Sequence, residues 1–357
     1  MIDRIQHAQR HIEAACQRLG RPVRIMEVCG THTVAIFRSG LRSLLPRQVK
    51  LLSGPGCPVC VTDQGYIDLA LDLADRSDCL IATYGDMIRV PGQNGSLESR
   101  TSTGSVRVVL SADDALSLAR RHPDRTVVFL AVGFETTAPA TAVVVREAAD
   151  LGIDNFCVLC GHKLVVPAMK ALLSSKNDRI DGFLCPGHVS VIIGANAFLP
   201  IVEQFGRPCV VAGFEPDQIL EALAEICRQR ADGRPQLKSL YRAVVTAEGN
   251  RVAQAMMASC LEVTDGTWRG IGRIEASALR LKEEYARFDA LQRFGLTEVP
   301  SPSTGGCRCG EVLSGLIDPP ECRLFGKACQ PQSPVGPCMV SSEGACAAWF
   351  KYGGAGA

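Results

Sequence analysis

The sequence carries almost no net charge: 38 Lys and Arg stand against 37 Asp and Glu, leaving +1 over 357 residues. Proteins that hold nucleic acid or anionic lipid work through an excess positive field, so this balance argues against both as partners. No apolar run approaches the roughly 18 to 20 residues of a membrane span. The N-terminal stretch MIDRIQHAQRHIEAACQRLG reads as an amphipathic, charge-studded helix, without the apolar core and small-residue cleavage site of a signal peptide. A cytoplasmic protein is expected. Three further motifs are missing: the Gly-x4-Gly-Lys-Ser/Thr phosphate loop, the C-x3-C-x2-C run of radical enzymes, and, in the cysteine-rich tail, the paired C-x2-4-C knuckles that zinc prefers.

What is abundant is cysteine, with 17 residues. In a reducing compartment structural disulfides are disfavoured, so such usage points to metal, cluster or redox chemistry. Cys16, Cys79, Cys209, Cys227 and Cys260 sit in apolar or helical stretches and read as small buried hydrophobes.

The length suits two or three domains. Short apolar runs, VRIMEVC (23–29), VKLLSG (49–54), CLIATY (79–84) and TVVFLAVG (126–133), have the pattern of strands buried on both faces. NFCVLC (155–160), GFLCPG (182–187), PCVVAG (208–213) and RAVVTA (242–247) continue the series. Helical patterns lie between them: Ser111 with Asp114 forms a capping box, and Pro139 suits the first turn of a helix after Thr137. Alternation of this kind predicts parallel sheets with crossover helices. Cys29-Gly30 and Cys160-Gly161, Pro55-Gly56 and Pro186-Gly187, and Cys79 and Cys209 recur at an offset of 131, 131 and 130 positions. We therefore expect an α/β protein of two similar parallel-sheet domains, 21–150 and 151–260, facing a cleft. A small, mostly α or irregular domain is expected over 261–357, with the N-terminal helix 1–20 packing on it. The charged stretch EASALRLKEEYARFDALQRFG reads as helical.

Ligands in open parallel sheets bind beyond the carboxyl ends of the strands. There lie Cys29-Gly-Thr-His32, Cys57-Pro-Val-Cys60, Gly133-Phe-Glu135-Thr-Thr137, Cys160-Gly-His162-Lys163 and Cys185-Pro-Gly-His188. A thiol at a helix N-terminus has a lowered pKa, so Cys57 and Cys60 can cycle between dithiol and disulfide or bind a soft metal. Cys29 would sit at such an end with His32 one turn away as base or relay, and Gly30 would admit a bulky ligand. Glu135 could accept protons, while Thr136 and Thr137 default to helix caps. Glu215 fits a helix start, and His162, Lys163 and His188 are by default structural.

The tail holds Cys307, Cys309, Cys322, Cys329, Cys338 and Cys346 in a stretch too rich in Gly and Pro for an apolar core. Bound metal would supply its folding free energy. Cys309-x12-Cys322-x6-Cys329-x16-Cys346 offers four thiolates to a cubane cluster, which tolerates long loops, and leaves Cys307 and Cys338 spare. Zinc and free thiols are the alternatives.

Together CGTHT (29–33), GPGCPVC (54–60), GFETTAP (133–139), CGHK (160–163), CPGHVSVIIG (185–194) and the tail CRCGEVLSG…LFGKAC…GPCMVSSEGAC resemble the HypD family of hydrogenase maturation proteins over nearly the whole chain. The resemblance implies two α/β domains and a third carrying a [4Fe-4S] cluster, completed by the N-terminal helix. It implies a scaffold, rather than a turnover enzyme, on which the Fe(CN)2CO unit of [NiFe] hydrogenases is assembled with the chaperone HypC. Cyanide would come from carbamoyl phosphate through HypF and HypE. By the same resemblance Cys29 holds the transient iron, Cys57 and Cys60 relay electrons, and Cys309, Cys322, Cys329 and Cys346 hold the cluster. Such a relay requires cluster and dithiol to lie within roughly 15 Å or to be bridged by motion. The rival reading is a stand-alone thiol–disulfide redox protein fed by the cluster.

Overall fold

A computed structural model describes residues 2–176, 178–298 and 304–353. The strands are β1 (Val23–Glu27), β2 (Val49–Ser53), β3 (Cys79–Thr83), β4 (Val106–Val108), β5 (Thr126–Gly133), β6 (Phe156–His162), β7 (Gly182–Cys185), β8 (Cys209–Val211), β9 (Leu237–Ser239), β10 (Leu261–Trp268) and β11 (Gly272–Leu281). One sheet has the order β2-β1-β7-β8-β9 and a second the order β4-β3-β5-β6, and every pairing in both is parallel. β3 and nearly all of β5 are buried throughout, because helices cover both faces. The expected caps are present: Ser111 and Asp114 form a reciprocal capping box, and Pro139 lies in the first turn of the helix Ala138–Asp150.

This strand order places the chemistry. In the first sheet the chain leaves β1 for β2 on one side, and β7 adds on the other. In the second, β3 has β4 on one side and β5 on the other. Such reversals open a crevice at the carboxyl ends. Val28 and Cys29 after β1, Pro186 after β7, and Phe134 after β5 line one common cleft. Met26 and Phe183 of the first sheet and Ile81 and Val128 of the second belong to one continuous apolar core.

Several expectations need correction. The sheets are not built from the contiguous segments 21–150 and 151–260, since β1 and β2 join β7–β9 while β3–β6 form the other sheet. The matched dipeptides mark strand ends without marking two copies of one domain. The helix Ile2–Leu19 packs on the first sheet's helix Pro216–Asp232, not on the tail. Its stripe of Ala8, Ile12, Ala15 and Cys16 meets Ile219, Leu223 and Cys227, and Arg18 pairs with Asp232 at 2.9 Å. Residues 242–247 form turns rather than a strand. The stretch read as helix from 275 instead enters β11, the second arm of an antiparallel hairpin with β10. Cross-strand pairs such as Glu262–Arg280 and the bond from Trp268 Nε1 to Ser277 Oγ outweigh local helix propensity there. The tail beyond the hairpin is short helices and turns, tied to the first sheet by Trp349 against Phe37, with ring centroids 5.0 Å apart.

Candidate metal centre

Cys29 is the N-cap of the helix Gly30–Arg38, in extended conformation, so its side chain stands beside the helix's free N–H groups. Its thiol lies near the backbone N–H groups of Thr31 and His32, which favour the thiolate, without closing a capping hydrogen bond. Glycines let the loop form. A Cβ on Gly56 would lie 2.2 Å from the Cys29 nitrogen, and one on Gly30 would lie 2.6 Å from Glu343 Cβ. Glu343 is delivered by the tail and accepts from Thr31 Oγ1 at 2.5 Å. Cys29, Thr31, Pro58, Thr137, His188 and Glu343 are among the residues that line the cleft.

Burial pushes the Cys29 thiol up to about 11, and the Glu343 carboxylate adds to the rise. A thiolate ready near neutral pH, expected from the helix end, is therefore not what the free protein presents. Desolvation outweighs the N–H donors. A soft cation in the cleft would reverse that balance, because a coordinating thiol deprotonates outright.

Directly beneath lies a chain of thiols. Cys57 caps the one-turn helix Pro58–Val61 and accepts from the Cys60 backbone N–H at 3.2 Å. The Cys60 thiol lies against Cys57 on one side and Cys338 on the other, and burial holds it well above its ordinary range. Again the expected lowering is overturned, since one helical turn has little dipole to set against complete burial. Cys338 in turn contacts Cys309 and Cys346. Cys307, Cys309, Cys322, Cys329 and Cys346 line one apolar pocket with Phe325 and Met339. Gly336 leaves room at its mouth for Cys307 and Cys309, whose sulfurs are 3.0 Å apart. Among the described residues no three His, Cys, Asp or Glu side chains are disposed around a single metal ion. Five cysteines instead line the one pocket, with Cys309 against Cys307.

A family model described as HypD, Hydrogenase formation hypA family, matches residues 3–353. The chain belongs to the HypD family. It is 46% identical over 341 residues to the hydrogenase maturation factor HypD of Azotobacter vinelandii, covering 93% of this chain and 90% of that one. Similar figures hold for the hydrogenase maturation factor HypD of Cupriavidus necator, 45% over 357 residues covering 98% and 94%, and of Escherichia coli, 43% over 354 residues covering 99% and 94%. This HypD-family chain is accordingly a hydrogenase maturation factor.

Not every residue singled out in the sequence meets the others. His32 is fully buried and turns away from Cys29, its Nε2 2.9 Å from the Gly213 carbonyl and its ring against Phe214. Burial pulls it down to about 4, so it stays neutral and joins two loops rather than serving the thiol as base. Glu135 also faces elsewhere: one oxygen accepts from Val165 N–H at 3.0 Å, and the side chain lines an apolar groove with Leu164, Ile193 and Met257. Its neighbours Thr136 and Thr137 line the cleft in its place. Thr137 occupies an N-cap position without a side-chain capping bond, whereas Glu215 forms a capping box with Gln218. His162 bonds Thr141 Oγ1 at 2.8 Å and is structural, as is its buried neighbour Lys163. His188, by default structural, instead lines the cleft and stacks on Phe214 at 4.2 Å. Its signal was its place after a strand end. Glu343 had none. Cys16, Cys79, Cys209, Cys227 and Cys260 are buried among apolar side chains.

Proposed function

We propose that this maturation factor works as a scaffold with HypC, gripping an iron atom at Cys29 while HypE delivers cyanide made available by HypF, until Fe(CN)2CO is complete. The reading rests above all on one observation: Cys29 lies at the strand-order reversal of a sheet, in a cleft, with a carboxylate beside it and thiols beneath. Iron carrying cyanide and carbon monoxide favours soft sulfur donors. Glu343, His188 and the hydroxyls of Thr31, Thr136 and Thr137 line the same cleft and offer polar contacts to ligands on the iron. The protein acts in the cytoplasm; among the described residues no single helix is long and apolar enough to cross a membrane.

The tail pocket suits a [4Fe-4S] cluster by its donor set, five thiols in apolar surroundings. A cluster bound there supplies single electrons to the reductive steps of assembly. Thiolates of one cubane sit on different irons and do not touch. Cys309 touches both Cys307 and Cys346. It is therefore the thiol that departs from the expected set of Cys309, Cys322, Cys329 and Cys346. We assign Cys307, Cys322, Cys329 and Cys346 as ligands, leaving Cys309 beside Cys338 on the side of Cys60. Cys309, Cys338, Cys60 and Cys57 then form an unbroken run of thiol contacts in place of the gap a relay would have to cross. Cys57 and Cys60 are 2% and 0% exposed, which disfavours the rival in which they attack a client disulfide directly.

Anaerobic purification with iron, sulfide and zinc quantified together tests the cluster, and infrared spectra of the HypC complex test for cyanide and carbonyl stretches. Cys29→Ala should keep the cluster and abolish maturation. Active hydrogenase from that variant would refute the iron-holding role.

A further inference from the structure

The hairpin β10–β11 carries a buried positive charge that the scheme above does not use. Arg269 is 4% exposed. Its Nε donates to the Thr62 carbonyl at 2.8 Å, its Nη1 to Gln64 Oε1 at 2.9 Å, and its backbone N–H to the Val61 carbonyl at 2.9 Å. All three acceptors are neutral and follow directly on the Cys57–Cys60 turn. Its remaining nitrogen, Nη2, is buried without a partner. Among the described residues no carboxylate lies within ion-pair distance of it. A carboxylate is reached only through Gln64, whose Nε2 donates to Asp68 Oδ1 at 3.1 Å.

An interior guanidinium without a counter-ion is costly to keep. Its surroundings indicate which anion is meant. Gly270, the next residue, is in backbone contact with Gly310 at the start of the helix Cys309–Leu313: a Cβ on Gly270 would fall 2.2 Å from Gly310 Cα, and one on Gly310 would fall 2.4 Å from Gly270 Cα. Two glycines thus let the arginine loop approach the tail pocket as closely as main chains can. A cubane with four thiolate ligands is a net anion, and net charge with hydrogen bonding to sulfur is what sets its reduction potential.

We propose that Arg269 is the counter-charge of the tail cluster, holding its reduction potential up and tying that potential to the loop that carries Cys57 and Cys60. The inference rests on the cluster reading above. Reduction adds one negative charge to the cluster, and a fixed guanidinium favours that state with no proton taken up. Loss of the charge makes the reduced cluster harder to form.

The test is an anaerobic redox titration of the full-length holoprotein, followed by electron paramagnetic resonance of the reduced cluster. Arg269→Gln removes the charge and keeps part of the hydrogen bonding. Gln64→Glu leaves the arginine in place and gives it a carboxylate at the position of an existing 2.9 Å bond, so it decides the matter if the first variant does not fold. Arg269→Lys retains the charge. In Arg269→Gln and Gln64→Glu the reduced-to-oxidised ratio at the wild-type midpoint should fall at least tenfold, about 59 mV for a one-electron couple, while Arg269→Lys should stay within threefold. A wild-type midpoint in Gln64→Glu, or in a folded, cluster-loaded Arg269→Gln, overturns the inference and leaves the cluster reading standing. Wild-type protein without four irons and sulfide sinks both.

Discussion

Glu135 gives the sharpest handle on stability. Its carboxyl is 4% exposed, accepts one backbone N–H and has a second oxygen, Oε2, buried without a partner. Burial raises it from 4.5 to about 7. The sign follows from proton counts. Below pH 4.5 the carboxyl is protonated in both states and costs nothing. Between 4.5 and 7 the unfolded chain is ionised while the folded one keeps its proton, so stability falls as pH rises. Above 7 both are ionised and the whole penalty is present. A shift of that size corresponds to about 3 kcal/mol. Glu135→Gln preserves the acceptor for Val165 N–H and removes the ionisation. Anaerobic guanidinium unfolding of wild type and variant across pH 4.5 to 8.5 should show the variant gaining on the wild type by about 3 kcal/mol over that range, with most of the gain between pH 5 and 7. A difference between the two proteins that does not change with pH would refute the reasoning, and with it the placement of a carboxyl in the groove of Leu164 and Met257.

Other consequences are as direct. Cys307→Ala should lose the cluster's iron and sulfide while Cys309→Ala retains them; the reverse result restores the set read from spacing. Gly56→Ala, whose Cβ would overlap the Cys29 backbone, should cost roughly 1–3 kcal/mol, as overpacking does, and change the alkylation rate of Cys29, measured by mass spectrometry after timed iodoacetamide treatment. His32, held near 4, stays neutral through the physiological range, so iron binding at Cys29 should show no His32-dependent step between pH 6 and 8. His32→Gln, compared with wild type in iron titrations, checks this. Trp349→Ala should cost about 3–5 kcal/mol if the loss is typical of buried aromatics, and it should loosen the tail first, visible as faster hydrogen exchange over 337–352 than over β5.

Local features were legible in the sequence and non-local ones were not. Ser111 with Asp114, Pro139 and the Glu215 helix start depend on three or four neighbouring residues, and each stands where its pattern put it. The strands β1 to β3 and β5 to β8 were visible as apolar runs, whereas the three-residue β4, with two of its three residues exposed, was not. Their sorting into sheets was not, because an apolar run says that a strand is buried and nothing about which strand lies beside it. The same limit governs the site. Cys29, Cys57 and Cys60 were recognisable from their places at strand ends, yet the acidity of Cys29 and Cys60 was misjudged because burial depends on distant chain. Alternation along Phe134-Glu135-Thr136 turns the glutamate out of the cleft and the threonine in, a distinction no motif carries. Glu343 and Arg269 gain their roles only through contacts with residues some two to three hundred positions away.

The interleaving of the sheets has a temporal side. A ribosome delivers β1 and β2 first, but their partner β7 emerges some 130 residues later, after all four strands of the other sheet. Domains ordinarily fold as units while the chain is made. Here the four-stranded sheet can close during synthesis while the segment bearing Cys29 waits, and the crevice around that thiol does not exist until β7 docks. The tail pocket, whose cysteines follow every strand of both sheets in chain order, can form only later still.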